Sequence, residues 1–284
     1  MKPTILLQLD ADPQPSVFDA VVALDAGADH LLRHGGVSVE GVRDLVHGLL
    51  FTRGPGDLHR SAIFVGGGGV AKGEAILEAV KSAFFGPFRV SVLLDPNGCN
   101  TTAAAAVLAA IEGAGGSVKG RRAAVLGATG PVGRRVARLL AAEGASVALG
   151  SREVGRAEAV AASMPGDFRA FGTADRASLA AGLTGATIVV AAGATGAVLL
   201  PSAALEASQE IEVLIDLNAV PPLGIEGVEA TDRGVERAGR RCWGALGVGG
   251  TKMKIHKAAI RALFEANDRT LDAEQVLEIG RSLT

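Results

Sequence analysis

The chain of 284 residues has no tyrosine, and that absence removes a chemistry at once. Without a phenol there is no Tyr-Lys catalytic pair of the short-chain dehydrogenase kind and no phenolic proton donor. Cysteine is nearly as scarce: Cys99 and Cys242 lie far apart and form no CxxC, which suits reduced thiols in a cytosolic protein. Although 48% of the residues are hydrophobic, no apolar run approaches the roughly 20 residues needed to span a bilayer. No signal-peptide cleavage pattern follows the opening MKPTILLQLD, so a cytoplasmic location and no membrane partner are expected. Neither sign of charge dominates: the net charge is −2 with acids and bases interspersed, which offers no basic face to nucleic acid. The histidines, His30, His34, His47, His59 and His256, make no recognised metal set. His30 and His34 have i, i+4 spacing, but Asp29 and Gly35 beside them suggest a loop or a helix end, and no metal is expected.

What is present is a nucleotide-binding βαβ half from Arg122 to Arg152. The short apolar run Ala123 to Leu126 reads as a buried parallel strand, and Pro131 opens a helix running to Gly144, because proline is best tolerated in a first turn. Gly127, Gly130 and Gly133 then fall on the turn and the helix start. Such glycines permit a tight turn and close approach of backbone to a pyrophosphate, while the helix N-terminus offers unpaired N–H groups. The candidate cofactor residues are therefore Gly127, Thr129, Gly130, Pro131, Val132 and Gly133. The spacing is GxxGxxG rather than GxGxxG, and a purely structural turn is the alternative. The second strand, Ser146 to Leu149, leads into Gly150, Ser151 and Arg152, where an NAD enzyme usually carries an acid for the ribose 2′-hydroxyl. Arg152 offers a charged planar fork and Ser151 a hydroxyl to a 2′-phosphate, which points to NADP; an ordinary surface arginine is the other reading.

At this length the chain holds about two domains, and the fold class predicted is α/β: a Rossmann-type parallel-sheet NADP domain plus an N-terminal α/β substrate domain, with a cleft between them. The domains are placed at 1–115 and 116–250, with the closing helices of 251–284 packing back on the first. Strand Thr4 to Leu9, a helix from Ser16 to Ala26 with Ser16 and Asp19 as a capping box, and a helix from Ser38 to Phe51 come first. Strand Ser61 to Val65 runs into Gly66 to Gly69 and a helix to Phe85, and strand Arg89 to Leu94 runs into Asp95-Pro96-Asn97-Gly98 and an Ala-rich helix from Thr101. The stretch Gly113 to Gly120 is the candidate linker. Later strands are expected near Phe168 to Phe171, Thr187 to Ala192, Val213 to Leu217 and Arg241 to Leu246, then helices Thr251 to Ala266 and Asp272 to Ser282. The Gly66 to Gly69 loop is no Walker A sequence, since Ala71-Lys72-Gly73 lacks the Gly-Lys-Ser/Thr run.

Ligands of open parallel sheets sit beyond the carboxyl ends of strands. That rule singles out Asp95, Asn97, Thr101 and Thr102, then Gly193 to Gly196 with Ala192 on the cofactor side before them, then Asp216 and Asn218, and last Gly247 to Gly250. Turn chemistry is the alternative at each, and Asp-Pro-Asn-Gly is a good turn on propensity alone.

The blocks PSVFDAVVALDAGADH (15–30), AIFVGGG (62–68), FFGPFRVS (84–91), LDPNGCNTTAAA (94–105), GATGPVG (127–133), DLNAVPPLGIEGVEATD (216–232) and GALGVGGTKMKIH (244–256) resemble the NADP-dependent methylenetetrahydromethanopterin dehydrogenase of methylotrophic bacteria, which also uses methylenetetrahydrofolate. The resemblance spans almost the whole chain and departs most between Glu153 and Asp175. It implies hydride transfer from the methylene bridge of a reduced pterin to NADP, in a cytoplasmic homo-oligomer. It further implies a substrate wall of Phe18, Asn97, Gly98, Thr101 and Thr102, carboxylates Asp19 or Asp95 that favour developing positive charge, and a pterin-holding Lys252. Gly247 and Asn218 join the cofactor side. Lys252 and Lys254 as plain surface lysines remain the alternative, as do a shikimate- or quinate-type NADP dehydrogenase and a non-enzymatic NADPH-binding sensor.

Overall fold

A computed structural model describes residues 2–283. Its elements alternate strand and helix for most of the chain. The order begins β1 (Ile5–Asp10), α1 (Val17–Asp25), β2 (His30–His34), α2 (Val42–Leu50), β3 (Ser61–Gly66), α3 (Val70–Ser82), β4 (Ser91–Leu94) and α4 (Cys99–Gly113). There follow β5 (Arg122–Leu126), α5 (Pro131–Ala142), β6 (Ser146–Ser151), α6 (Val154–Ser163), β7 (Phe168–Gly172), α7 (Arg176–Leu183), β8 (Ile188–Ala191), α8 (Ser202–Glu206) and β9 (Val213–Asp216). The chain ends with β10 (Arg233–Arg237), β11 (Arg240–Trp243), α9 (Ala245–Leu263), β12 (Thr270–Leu271) and α10 (Ala273–Arg281).

Two compact units result: residues 1–101 with 253–284, and residues 102–252. The first holds a five-stranded parallel sheet in the order β12-β4-β3-β1-β2. The second holds seven strands in the order β10-β11-β9-β8-β5-β6-β7, parallel except for β10. Strands such as Ser61–Gly66 and Ile188–Ala191 are buried at every position, as parallel strands covered on both faces must be. In the first unit Leu7, Leu9, Val46, Leu50, Ile63, Val65, Ile76 and Val80 form one apolar cluster. Each such side chain taken from water contributes about 1.5–3 kcal/mol.

Each sheet has a point where the strand order reverses. β1 lies between β2 and β3, and β5 lies between β6 and β8, so loops leaving β1 and β3, or β5 and β8, depart in opposite directions and open a crevice at the carboxyl edge.

Several expectations are revised. The unit boundaries fall at Thr101/Thr102 and Lys252/Met253, inside α4 and α9, not at the 115/116 and 250/251 positions read from composition. The glycines of 113–120 are a helix end rather than a linker: Gly115, Gly116 and Gly120 have positive φ, and the Gly116 N–H closes onto the Ile111 carbonyl at 2.8 Å. His30 and His34 lie on β2 rather than in a loop or helix end. Four residues along a strand are about 13 Å, too far for one metal ion. The last parallel strand stops at Trp243 and α9 already begins at Ala245, which puts Gly247 to Gly250 inside a helix rather than in a strand-end loop. Packing overrides propensity there, since a Cβ on Gly247 would overlap the Asp232 carbonyl and one on Gly244 the Glu229 carbonyl.

Candidate active site

In the second unit the chain turns sharply at the carboxyl end of β5. Gly127 has φ +75°, and a Cβ there would lie 2.5 Å from the Cα of Gly193, beyond the end of β8. A Cβ on Gly133 would meet the Gly127 carbonyl at 2.5 Å and the Ala128 Cα at 2.8 Å. Both positions exclude a side chain, whereas Gly130 has only ordinary contacts. The turn is tied down by the N–H groups of Gly127 and Ala128 on the Gly150 carbonyl, at 3.0 and 3.1 Å. Pro131 opens α5 in its first turn, so the N–H groups of Val132 and Gly133 have no carbonyl within the helix. Thr129 and Gly130 are half-buried and Ala192 follows β8, its N–H on the Leu126 carbonyl at 2.8 Å.

The strand β6 ends on Ser151, which is buried, and Arg152 is exposed directly after it. The Ser151 hydroxyl oxygen accepts the Glu153 N–H at 3.3 Å and keeps its own proton for donation. Glu153, the acid closest to the seat in sequence, is drawn toward Arg156 at 3.7 Å. The residues present thus suit a dinucleotide with a 2′-phosphate: a backbone-lined turn at a helix N-terminus and a cation without an acid in the ribose position. A separate hollow of about 610 Å³, lined by Arg122, Ser146, Asp167, Arg169 and Thr184, lies at the amino ends of β5, β6 and β7, on the opposite edge.

Beyond β9, Asn218 is buried and committed to its own loop: its side-chain N–H reaches the Pro222 carbonyl at 3.1 Å and its Oδ1 accepts the Val220 N–H at 3.1 Å. Gly247 lies in the first turn of α9, just past the end of β11, and packs on the Asp232 backbone.

In the first unit the predicted residues separate into two groups. Asp95 and Thr101 are fully buried and are spent on capping α4. Oδ1 of Asp95 accepts the N–H groups of Asn100 and Thr101 at 2.8 and 3.1 Å, and Oδ2 accepts the Thr101 hydroxyl at 2.6 Å. That cap explains why the helix begins at Cys99 rather than Thr101, and it leaves Asp95 no free edge to face a substrate. Asp19, Phe18 and Asn97 are different. Asp19 sits in the first turn of α1 with its N–H on the Ser16 hydroxyl at 3.2 Å, and its carboxylate faces the backbone of Gly66 at the end of β3. Phe18 is 50% exposed, and its ring lies 6.5 Å from that of His256. Asn97 is exposed in the left-handed region (φ 55°) with its N–H on the Gly67 carbonyl at 2.6 Å; Gly98 has φ 60°. Thr102 and Lys252 stand at the two ends of the second unit: Thr102 is half-buried in α4, and Lys252 is half-buried on α9.

Three residues of this edge escaped the sequence reading. Asp10 ends β1 and accepts the N–H groups of Asp12 and Ser16, at 2.8 and 3.1 Å, while Asp12 accepts the Gly68 N–H at 2.7 Å. Together they fold the two strand-end loops against each other. The strand-end rule applied to β1 finds Asp10. His256, fully buried 5.6 Å from the Phe64 ring, has no local signature at all. Among the described residues no group of three metal-ligating side chains is assembled, and no helix is long and apolar enough to cross a membrane.

Comparison with known proteins agrees with this construction. Residues 17–97 match the family described as methylene-tetrahydromethanopterin dehydrogenase, N-terminal. The chain is 50% identical to the bifunctional protein MdtA of Methylorubrum extorquens, with all of both chains covered. It is 33% identical to the NAD(P)-dependent methylenetetrahydromethanopterin dehydrogenase of the same organism, over 94% of each. Quinate dehydrogenase from Corynebacterium glutamicum, solved with NAD, shares the fold at a TM-score of 0.51 and 16% identity, covering 99% of this chain and 100% of its own. The turn at Gly127, the acid-free end of β6 and full-length identity to those two relatives converge: the chain belongs to the methylenetetrahydromethanopterin dehydrogenase family.

Proposed function

We propose that this chain oxidises the methylene bridge of methylene-tetrahydromethanopterin, and of methylene-tetrahydrofolate as a second carrier, using NADP. A hydride leaves the one-carbon bridge for the nicotinamide, and the products are the methenyl pterin and NADPH. The observation that carries the reading is the crossing of Gly127 over Gly193 beneath the open N–H groups of α5, in a chain of this family. Bound there, NADP supplies the hydride acceptor.

The chain's own residues orient, neutralise and shield. The turn from Gly127 to Gly133 holds the pyrophosphate through backbone N–H groups, and Arg152 with Ser151 pairs with the 2′-phosphate. Ala192 and Gly193 supply side-chain-poor backbone at the end of β8. No proton moves in the hydride step, so the missing tyrosine is no handicap, and rate comes from bringing the two carbons to about 3–3.5 Å in alignment. The Asp19 carboxylate favours the positive charge that develops on the pterin, and the exposed ring of Phe18 offers it a flat apolar face. Asn97 and Thr102 supply hydrogen bonds to the pterin. Lys252 holds a polar part of the substrate away from the cation, since an ammonium beside it would oppose charge development. The enzyme works in the cytoplasm, consistent with two buried free thiols, and as a homo-oligomer, consistent with the exposed apolar row Val17, Val21 and Leu24 on α1.

The test mixes the protein with NADP and each methylene-tetrahydropterin while following NADPH and methenyl absorbance. Both should rise together, with no turnover of shikimate or quinate. Oxidation of quinate with neither methylene carrier consumed overturns the proposal in favour of the quinate type. Tight NADPH binding with no substrate oxidised favours a sensor.

A further inference from the structure

One buried carboxylate of the second unit has no part in the chemistry above. Asp216 closes β9 and is 1% exposed. Its Oδ1 accepts the Asn218 N–H at 3.0 Å, its Oδ2 accepts the Ile225 N–H at 2.9 Å, and the Gly224 N–H also donates to it. A Cβ on Gly224 would stand 2.7 Å from the Asp216 Oδ1 and 3.3 Å from the Ala191 Cβ. The loop 217–225 is therefore wrapped on this carboxylate.

The loop hands its position onward. The Gly224 carbonyl accepts the N–H groups of Leu199 and Leu200 at 2.8 and 3.0 Å, and the Leu217 N–H reaches the Ala191 carbonyl at 3.0 Å. Leu199 rests on Gly193, where a Cβ would come 2.5 Å from the Leu199 Cδ1. Gly193 is the residue that crosses Gly127 at the phosphate turn. A continuous packed path thus runs from Asp216 through Gly224 and Leu199 to the seat assigned to the cofactor. Burial pushes the Asp216 carboxyl above its ordinary range, against the pull of its three N–H donors.

We propose that Asp216 is a positioning residue for the cofactor: its carboxylate sets the loop 217–225 and, through Leu199, the crossing of Gly193 over Gly127, so that NADP affinity depends on it. The proposal rests on the reading of the second unit as the NADP seat.

The experiment uses the full chain and compares Asp216→Asn, Leu199→Ala and a control, Asp232→Asn, which alters an equally buried carboxylate of the same unit. Melting temperature without ligand, NADP dissociation constant by titration, and KM and kcat with the methylene carrier are read for each. Asp216→Asn and Leu199→Ala should raise the NADP dissociation constant and KM about tenfold, with the pterin KM within twofold of wild type. Asp232→Asn should lower the melting temperature with NADP affinity within twofold. If NADP affinity follows melting temperature alike in all three, or stays within twofold in Asp216→Asn and Leu199→Ala, the positioning role is overturned. Should Asp216→Asn fail to fold, Leu199→Ala decides by the same criterion. Wild-type protein that binds no NADP would instead overturn the reading of the seat itself.

Discussion

Arg152 stands exposed one residue past β6, where nothing acidic precedes it in the turn, and it carries the expected choice between NADP and NAD. Arg152→Ala should weaken NADP by about 1.5–3 kcal/mol, the usual worth of a charge-assisted hydrogen bond, and leave NAD nearly unchanged. Titration with both dinucleotides checks this, and equal losses would remove the 2′-phosphate role. Asp95 has the opposite fate. In the sequence Asp95 and Asp19 look alike, each near the start of a helix. Once folded, Asp95 is enclosed by the donors of Asn100 and Thr101, whereas Asp19 faces a strand-end backbone. Asp95→Ala should therefore lower stability by about 1–3 kcal/mol, because it leaves buried donors unsatisfied. Urea denaturation measures it; a stable variant with reduced turnover would return Asp95 to the catalytic group. Asp95 is sealed by the start of α4, whose Asn100 and Thr101 lie five and six residues along the chain.

Among the elements, the strands of the two parallel sheets were readable because burial on both faces leaves short apolar runs bounded by glycine, as in AIFVG and ATIVVAAG. β2, β10 and β12 were not: HLLRH and RGVER are edge strands with charged or polar exposed positions, and the two residues of β12 are too few to show a period. The β10–β11 ribbon is held by a pair that spacing could not announce. Asp232 is 3% exposed in its side chain and binds the Arg237 guanidinium twice, at 2.7 and 2.8 Å. Burial alone would raise the Asp232 carboxyl, but the hydrogen bond from Arg237, the Glu229 N–H and the charge of Arg237 outweigh it and take it below its ordinary range. A carboxyl lowered in the folded state adds stability that is present above its unfolded value of about 3.9 and is lost as pH falls through the folded one. Arg237→Ala should accordingly lower stability modestly near neutrality, because the arginine is partly exposed. The gap from wild type should close as the pH drops below about 4. Denaturation curves across that range test the sign, and a gap that widens in acid would refute it.

At the scale of the whole molecule, catalysis is assigned to alignment and fixed charge with no ion in attendance. Activity should then survive exhaustive chelation unchanged, and loss restored by added zinc would show that a metal had been missed. The sequence by itself determined the α/β class and the dinucleotide half, and its Ser151-Arg152 ending carries the expectation of NADP. These are properties of contiguous residues: a strand, a turn and a helix start must be neighbours in sequence to make a phosphate seat. Tertiary structure alone decided where one unit ends and the next begins, because α4 and α9 each cross a boundary without a break in helical pattern. It also packed Gly247 on the Asp232 carbonyl in the first turn of α9, and enclosed Asp95 while leaving Asp19 half-buried. Such burial is set only when the sheets close, because their strands pair residues far apart in the chain, as Ile5 with Ser61.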